Sequence, residues 1–566
     1  MQKSLAETST DATNAAGTMD SPFAVDTLND LPQRLGDAKN VLPRPRVSIN
    51  GSHTYDGNDP SVMRLLDGLA SDHYPLDIAD FGPLVIPVNR KAMKKPDSGD
   101  NDKPWRPQGI HIATFGEHTK CINRAIPSPD HAFFITASDD GTVKIWDTTR
   151  LERNLIHRSR QTHRHQQGAK VKCIAFVQNT HTFISCATDG SVHIVKVDFI
   201  PLGDSTKYGR LRLKREYQLP DGEYAVWCEH FKHENKSILM AATNLSRVLA
   251  LDIRTMTLLY TFSNPLHHGT PTCFCLDLKH NWLLLGTSHG ILELWDLRFL
   301  LRLKSWGIPG SSPIHRLQLH PFKGRGRWVC VAGGTNQNDV TVWDIEKMQC
   351  REVFRAPGPS GTATLTKEDL KAYEPIHIDA EAPNLMLSRF ATALPPNLIA
   401  DPTNASLRPV DAGIRALAIG TDAPDDGRES KYAFLLTGGS DRLLRFWDLA
   451  RADASIVVSG LGVDEVQPKY VTNHPSTTLA VTTERVPSSG GGGGAAAKAD
   501  PKAGGGSSSG GGGGKRGRIP RAAVMAREQQ ALLRNHLDVV MDVAVLERPV
   551  GMTVSVDRMG CIYIFQ

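Results

Sequence analysis

The chain has 566 residues, 40% of them hydrophobic and 22% charged, too long for one ordinary core, so several units or one repeat array are expected. Lys+Arg 65 against Asp+Glu 60 leaves +5, too small a surplus over this length to imply a nucleic-acid partner. No stretch of 18 apolar residues exists, and the N-terminus, with Glu7, Asp11 and Asp20, lacks the apolar run of a signal peptide.

In chain order, residues 1–60 are rich in Ser, Thr, Asp, Asn and Pro and read as a disordered leader. Val62, Met63, Leu65, Leu66 and Leu69 recur at helical spacing behind Asp59-Pro60. With the polar stretch 91–104 they make 61–104 a short helix and linker. Two irregular stretches come later. About 357–411 is proline-rich with little alternation, and 484–519 is a Gly/Ala/Ser coil followed by helix formers from Ala522 to Leu533. The second insertion therefore runs over about 484–535.

Between these interruptions a hairpin signature repeats. Thr136 to Asp147 is an apolar run, a tight Asp140-Gly141 turn and an alternating strand ending in Trp146-Asp147. The ending returns at Trp295-Asp296, Trp343-Asp344 and Trp447-Asp448, with weaker copies ending near Val195, Leu251 and Phe565. Successive gaps are 49, 56, 44, 48, 104 and 118. The first four are close to the ~40–45 residues of one WD40 blade, and the last two contain the insertions. The fold class expected is all-β: a seven-bladed WD40 propeller over 105–566.

Closure follows from the strand count. The last repeat stops one residue after Phe565 and has no fourth strand of its own. Gly109 to Phe115 alternates and has no repeat of its own, so it is expected to complete the last sheet and remove both open edges.

In such a blade a loop His, a strand Ser/Thr, a turn Asp and the Trp form a buried hydrogen-bonded chain. His118, Thr136, Asp140 and Trp146 supply the whole set in the first blade. The sixth keeps Thr437, Asp441 and Trp447 without a His. The last keeps His536 and Ser555, with Met559 and Phe565 in the Asp and Trp places. Trp295 and Trp343 stand in the same network positions. These residues are read as holding blades together, not as a hydrolase centre.

Other chemistry is discounted. Asp80-Phe81-Gly82 matches the kinase magnesium tripeptide, but no Gly-rich loop after a strand and no His-Arg-Asp accompanies it. Nine scattered cysteines include no CxxC pair, so neither a disulfide scaffold nor a metal site is expected; Cys273 and Cys275 read as core thiols on one strand. Basic clusters at 90–95, 158–165 and 515–521 read as solvated loops. No cofactor is expected.

The run from Trp105 through His118, Ser138 to Trp146, Trp282 to Ser288, Ile314 to Leu317 with His320-Pro321, and Leu436 to Leu449 resembles one WD40 family. So do His536 to Phe565 and Asp80-Phe81-Gly82-Pro83. Together they are similar to the C-terminal WD40 domain of vacuolar protein sorting subunit fifteen, the kinase-like regulatory subunit of class III phosphatidylinositol 3-kinase. The resemblance covers about 75–566 without the insertions. That family carries a protein-kinase-like domain and helical repeats which this sequence lacks, so the chain looks like a C-terminal portion or truncated product, and kinase activity is not carried over. The resemblance implies a non-catalytic scaffold for the lipid kinase catalytic subunit and for beclin-like and autophagy or endosomal coiled-coil subunits. It implies a cytoplasmic location, peripheral and indirect on endosomal, vacuolar or autophagic membranes, without nucleic acid. Loops 199–224 and 357–411 are expected to shape partner choice. A generic adaptor, such as a ubiquitin-ligase substrate receptor, and a phosphotransferring kinase fragment are the other readings.

Overall fold

The computed structural model describes residues 81–85, 105–149, 151, 158–202, 205–233, 236–310, 312–334, 338–356, 370–378, 413–422, 432–462, 465–485, 535–547 and 550–566. The expected leader, the helix at 61–69, the linker at 91–104 and the helix at 522–533 lie outside these residues.

Alternating β-branched and aromatic residues fold as hairpins joined by tight turns. In blade 1 they give Ile122–Pro127, Phe133–Ser138, Thr142–Asp147 and Gln161–Arg164. Blade 2 follows as Val171–Phe176, Thr182–Ala187, Ser191–Lys196 and Arg212–Gln218, and blade 3 as Ala225–His233, Lys236–Thr243, Arg247–Asp252 and Thr257–Ser263. Pro271–Leu276, Trp282–Thr287, Ile291–Asp296 and Leu301–Gly307 form blade 4. Blade 5 is Ile314–Leu319, Trp328–Gly333, Asp339–Asp344 and Gln349–Arg355. Blade 6 is Ile414–Asp422, Tyr432–Gly439, Leu444–Asp448 and Ile456–Ser459.

Blade 7 has only Val540–Leu546, Met552–Asp557 and Ile562–Phe565 in its own stretch of chain. Its fourth strand is His111–Phe115, antiparallel to Ile562–Phe565, with His111 opposite Phe565 and Phe115 opposite Ile562. The backbone N–H of Gln566 donates to the Ile110 carbonyl at 2.9 Å, and the Gln108 N–H donates to the Gln566 carbonyl at 2.8 Å. The first strand of each blade lies against the first strands of both neighbours, blade 7 returning to blade 1. The molecule is a closed seven-bladed propeller.

The entering segment is anchored before it pairs. Trp105 is buried against Phe434 at 5.4 Å between ring centroids, and Arg106 bonds Asp448 at 2.8 Å. Gly109 turns the chain into the strand at φ +73°, where a Cβ would lie 2.8 Å from the Val458 carbonyl.

Several segments differ from the sequence reading. Residues 161–164 are the fourth strand of blade 1 and not part of a loop, because they pair with Thr142–Ile145. The stretch 199–224 contains the hairpin Phe199–Leu202 with Ser205–Tyr208 and then the outer strand of blade 2. Within 357–411, Ile376–His377 pairs with the outer strand of blade 4. The hairpin Lys469–Ser476 and Leu479–Arg485 extends blade 5, its second strand parallel to Gln349–Arg355. Phe81 is fully buried in the apolar cluster of blades 2 and 3, and its carbonyl accepts from the Thr182 hydroxyl at 2.6 Å.

Candidate functional site

In blade 1 the four expected residues meet. His118 Nδ1 lies 2.8 Å from Asp140 Oδ2 and Nε2 2.8 Å from Thr136 Oγ1, while the Trp146 indole donates to Thr136 at 2.9 Å. With Nδ1 donating to the carboxylate, Nε2 is left to accept from the Thr136 hydroxyl. Burial alone would raise the Asp140 carboxyl, but bonds from His118 and Thr142 hold it below the usual range. Thr136 has no exposed surface, so its hydroxyl cannot meet a substrate.

The other blades solve the same problem differently. In blade 6 the Trp447 indole donates to Thr437 at 2.8 Å, and Arg445 occupies the interior where no His exists. Its guanidinium reaches Asp441 at 2.5 Å and Glu484 of the added hairpin at 2.6 Å. In blade 4 Glu293 accepts from the Trp295 indole at 3.1 Å and contacts His268, replacing both Thr and Asp. In blade 5 the Trp343 indole donates to Thr341 on its own strand at 2.9 Å. In blade 7 His536 meets Ser555 at 2.7 Å, while Met559, in the turn, is exposed.

Blade 2 carries a set that the sequence reading missed. His165 joins Ser185 at 2.8 Å and Ser191 at 2.7 Å, and the Ser191 hydroxyl donates to Asp189 at 2.6 Å. The absent Trp, replaced by Val195, hid the pattern.

The axis holds a second unforeseen cluster, built from the first strands of four blades. The Arg124 and Arg316 guanidinium groups lie over the Trp227 ring at 4.1 and 4.6 Å from its centroid. Asp542 faces both, 3.6 Å from Arg124 and 3.5 Å from Arg316, and accepts the Ala125 N–H at 3.0 Å. Burial and the neighbouring Arg124 pull Arg316 down to about 10 against the pull of Asp542, so it stays charged at neutral pH. Burial pushes Glu229, beside Trp227, up to about 7.

Two side-chain trios have donor atoms within 4.8 Å of one another: His163, His165 and His193, and Cys173, Cys186 and Cys228. The His165 and His193 rings are stacked 4.0 Å apart and only 5° from parallel. A metal binds in the plane of an imidazole, so two stacked rings cannot aim at one ion, and both nitrogens of His165 already bond serines. The cysteines sit in an apolar cluster where burial drives the Cys173 thiol well up while hydrogen bonds from Cys173 and Cys186 pull Cys228 down, so the trio does not offer the full set of thiolates that a metal needs. Cys273 and Cys275 are buried on Pro271–Leu276.

The buried imidazoles set a pH dependence. Burial lowers His163, His320 and His536 to about 4, and His165, His230 and His315 to about 3. Below 6.5 the unfolded chain binds protons that the folded chain refuses. Stability therefore falls as pH drops from 6.5 toward 4, by about 1–2 kcal/mol per imidazole at pH 5. Glu229 and Asp557, both raised by burial, work the other way, since their folded forms keep a proton longer, but they are two groups against six. Urea midpoints at neutral pH and at about pH 5 should show the loss; equal midpoints would refute it.

Seven radial sheets, each built on a four-stranded core and four of them with a Trp-Asp strand ending, define a WD40-repeat propeller, and the model of the WD domain, G-beta repeat, matches residues 109–147 and 157–196. Over this WD region the chain is homologous to VPS15 proteins. It is 29% identical over 325 residues to the serine/threonine-protein kinase VPS15 of Saccharomyces cerevisiae, covering 56% of this chain and 21% of that protein. It is 27% identical over 395 residues to that of Arabidopsis thaliana, covering 68% and 25%. Against the Komagataella pastoris VPS15 the figure is 27% over 534 residues, 92% of this chain and 34% of the relative. The chain spans about a third or less of the length of these relatives.

Proposed function

We propose that the chain is a non-catalytic docking scaffold of a class III phosphatidylinositol 3-kinase complex, serving autophagy and endosomal or vacuolar sorting. The homology to VPS15 over the WD region carries this reading. The fold supports it: a closed ring with hydrogen-bonded interior networks presents loops on a rigid frame. The partners proposed are the lipid kinase catalytic subunit and the beclin-like and autophagy or endosomal coiled-coil subunits. The location proposed is cytoplasmic and peripheral on the corresponding membranes. No helix among the described residues is long and apolar enough to cross a bilayer.

The test is affinity purification of the tagged chain from its own cells. Recovery of the lipid kinase and beclin-like subunits is the expected result. Recovery of a ubiquitin-ligase scaffold in their place would make it a generic adaptor, and ATP turnover by the purified chain would overturn the non-catalytic assignment.

A further inference from the structure

In an antiparallel four-stranded blade the first-to-second and third-to-fourth connections leave from the same end. On that face of blades 4 and 5, three of these turns carry an exposed apolar residue. Leu278 is 85% exposed, Phe299 75% and Phe322 43%. Each has a basic neighbour in sequence, namely Lys279, Arg298 and Lys323. Leu301 lies two residues beyond Phe299 and is 59% exposed. Seven of the fifteen exposed large hydrophobic residues among the described ones fall between Leu258 and Phe322, so the apolar surface is concentrated here.

Charge is equally one-sided. Lys279, Arg298, Lys323, Arg325, Arg327 and Lys347 in these turns are exposed, against Glu346 alone among the acids. Glu346 is paired with Arg327. Asp296 is turned to Arg298, and Asp277 accepts the backbone N–H groups of Asn281 and Trp282. Arg298, Arg327 and Lys323 are paired with Asp296, Glu346 and Glu352, so Lys279, Arg325 and Lys347 are the bases left to face solvent without a carboxylate paired to their side chains among the described residues.

We propose that this face of blades 4 and 5 docks directly onto an anionic phospholipid bilayer. Apolar tips that enter the headgroup boundary, ringed by Lys and Arg, are the two components of interfacial binding. The tips stand on three separate turns and project, which suits a flat surface better than the groove that a partner helix needs. The proposal goes beyond the scaffold reading, in which membrane association is indirect, and it needs none of the other subunits.

The test is co-sedimentation of the full chain with vesicles of phosphatidylcholine and phosphatidylserine, against phosphatidylcholine alone. Binding to the anionic vesicles only, weakening with salt, is expected. The Leu278→Ser/Phe299→Ser pair should lower the bound fraction about tenfold or more. Lys279→Glu/Lys347→Glu should lower it similarly and flatten the salt dependence. All four positions are exposed, so unchanged thermal unfolding serves as the control for folding. Equal sedimentation with both vesicle types, or variants that bind like the parent, would overturn the proposal. So would variants that keep vesicle binding and lose a protein partner, because the face would then be a protein interface. Loss of the subunit partners from the parent chain, with vesicle binding intact, would count against the scaffold reading and not against this one.

Discussion

Deleting His111–Phe115 should open the ring and remove most of the protein's stability. The strand completes blade 7, and its loss exposes the backbone edge of Ile562–Phe565 together with the faces under Ala113 and Phe115. Phe115 stacks on Trp146 of blade 1 at 4.9 Å, so the same strand also closes the seam between the two ends of the array. Phe115→Ala alone should cost about 3–5 kcal/mol, against a total of about 5–15 kcal/mol for a typical domain. Thermal unfolding and size exclusion read the effect as a lower midpoint and association through the freed edge. The rescue is more telling than the loss. Because Gln566 and Ile110 exchange backbone hydrogen bonds at 2.9 and 3.2 Å, residues 109–115 moved behind Gln566 through a tight turn should pair in the native register. Recovery of the parent midpoint is expected; a permuted chain as unstable as the deletion would disprove the closure mechanism.

Asp542→Ala is the second large effect, with an expected cost of about 3–5 kcal/mol. It leaves Arg124 and Arg316 close together at the axis without their shared carboxylate and strands the Ala125 N–H. The Trp227 ring cannot compensate, since its face is already engaged by both guanidinium groups. Asp542→Asn keeps an acceptor and should cost less. Adding Arg316→Met to Asp542→Ala should recover part of the loss, because removing a buried charge is cheaper than leaving it unpaired. Urea unfolding measures all three; an unchanged midpoint for Asp542→Ala would mean that water already screens the cluster.

The repeat frame was readable because it is local. Each Trp-Asp ending, tight turn and alternating run lies within a dozen residues, and Trp146, Trp295, Trp343 and Trp447 sit on the third strands of blades 1, 4, 5 and 6. The blade networks were only partly readable. His118 with Thr136 and Asp140 follows the spacing of the motif, whereas Glu293 does the work of two residues and Thr341 replaces a partner on the neighbouring strand. His165 reads as part of a basic loop because charge, and not alternation, dominates 158–165.

What lay beyond sequence reading is long-range. Arg445 in blade 6 is neutralised by Glu484 from a hairpin that pairs with blade 5, a match between segments with no shared period. Arg124, Trp227, Arg316 and Asp542 span more than four hundred residues of chain and become neighbours only because a ring brings every first strand to one axis. The amino-acid sequence by itself determined the number of sheets, their order and the strand that joins the two ends, since periodicity and turn chemistry are properties of short windows. The tertiary structure alone decided which buried charges meet at the centre and which apolar turns share a face, because both depend on the angle at which closed sheets come together.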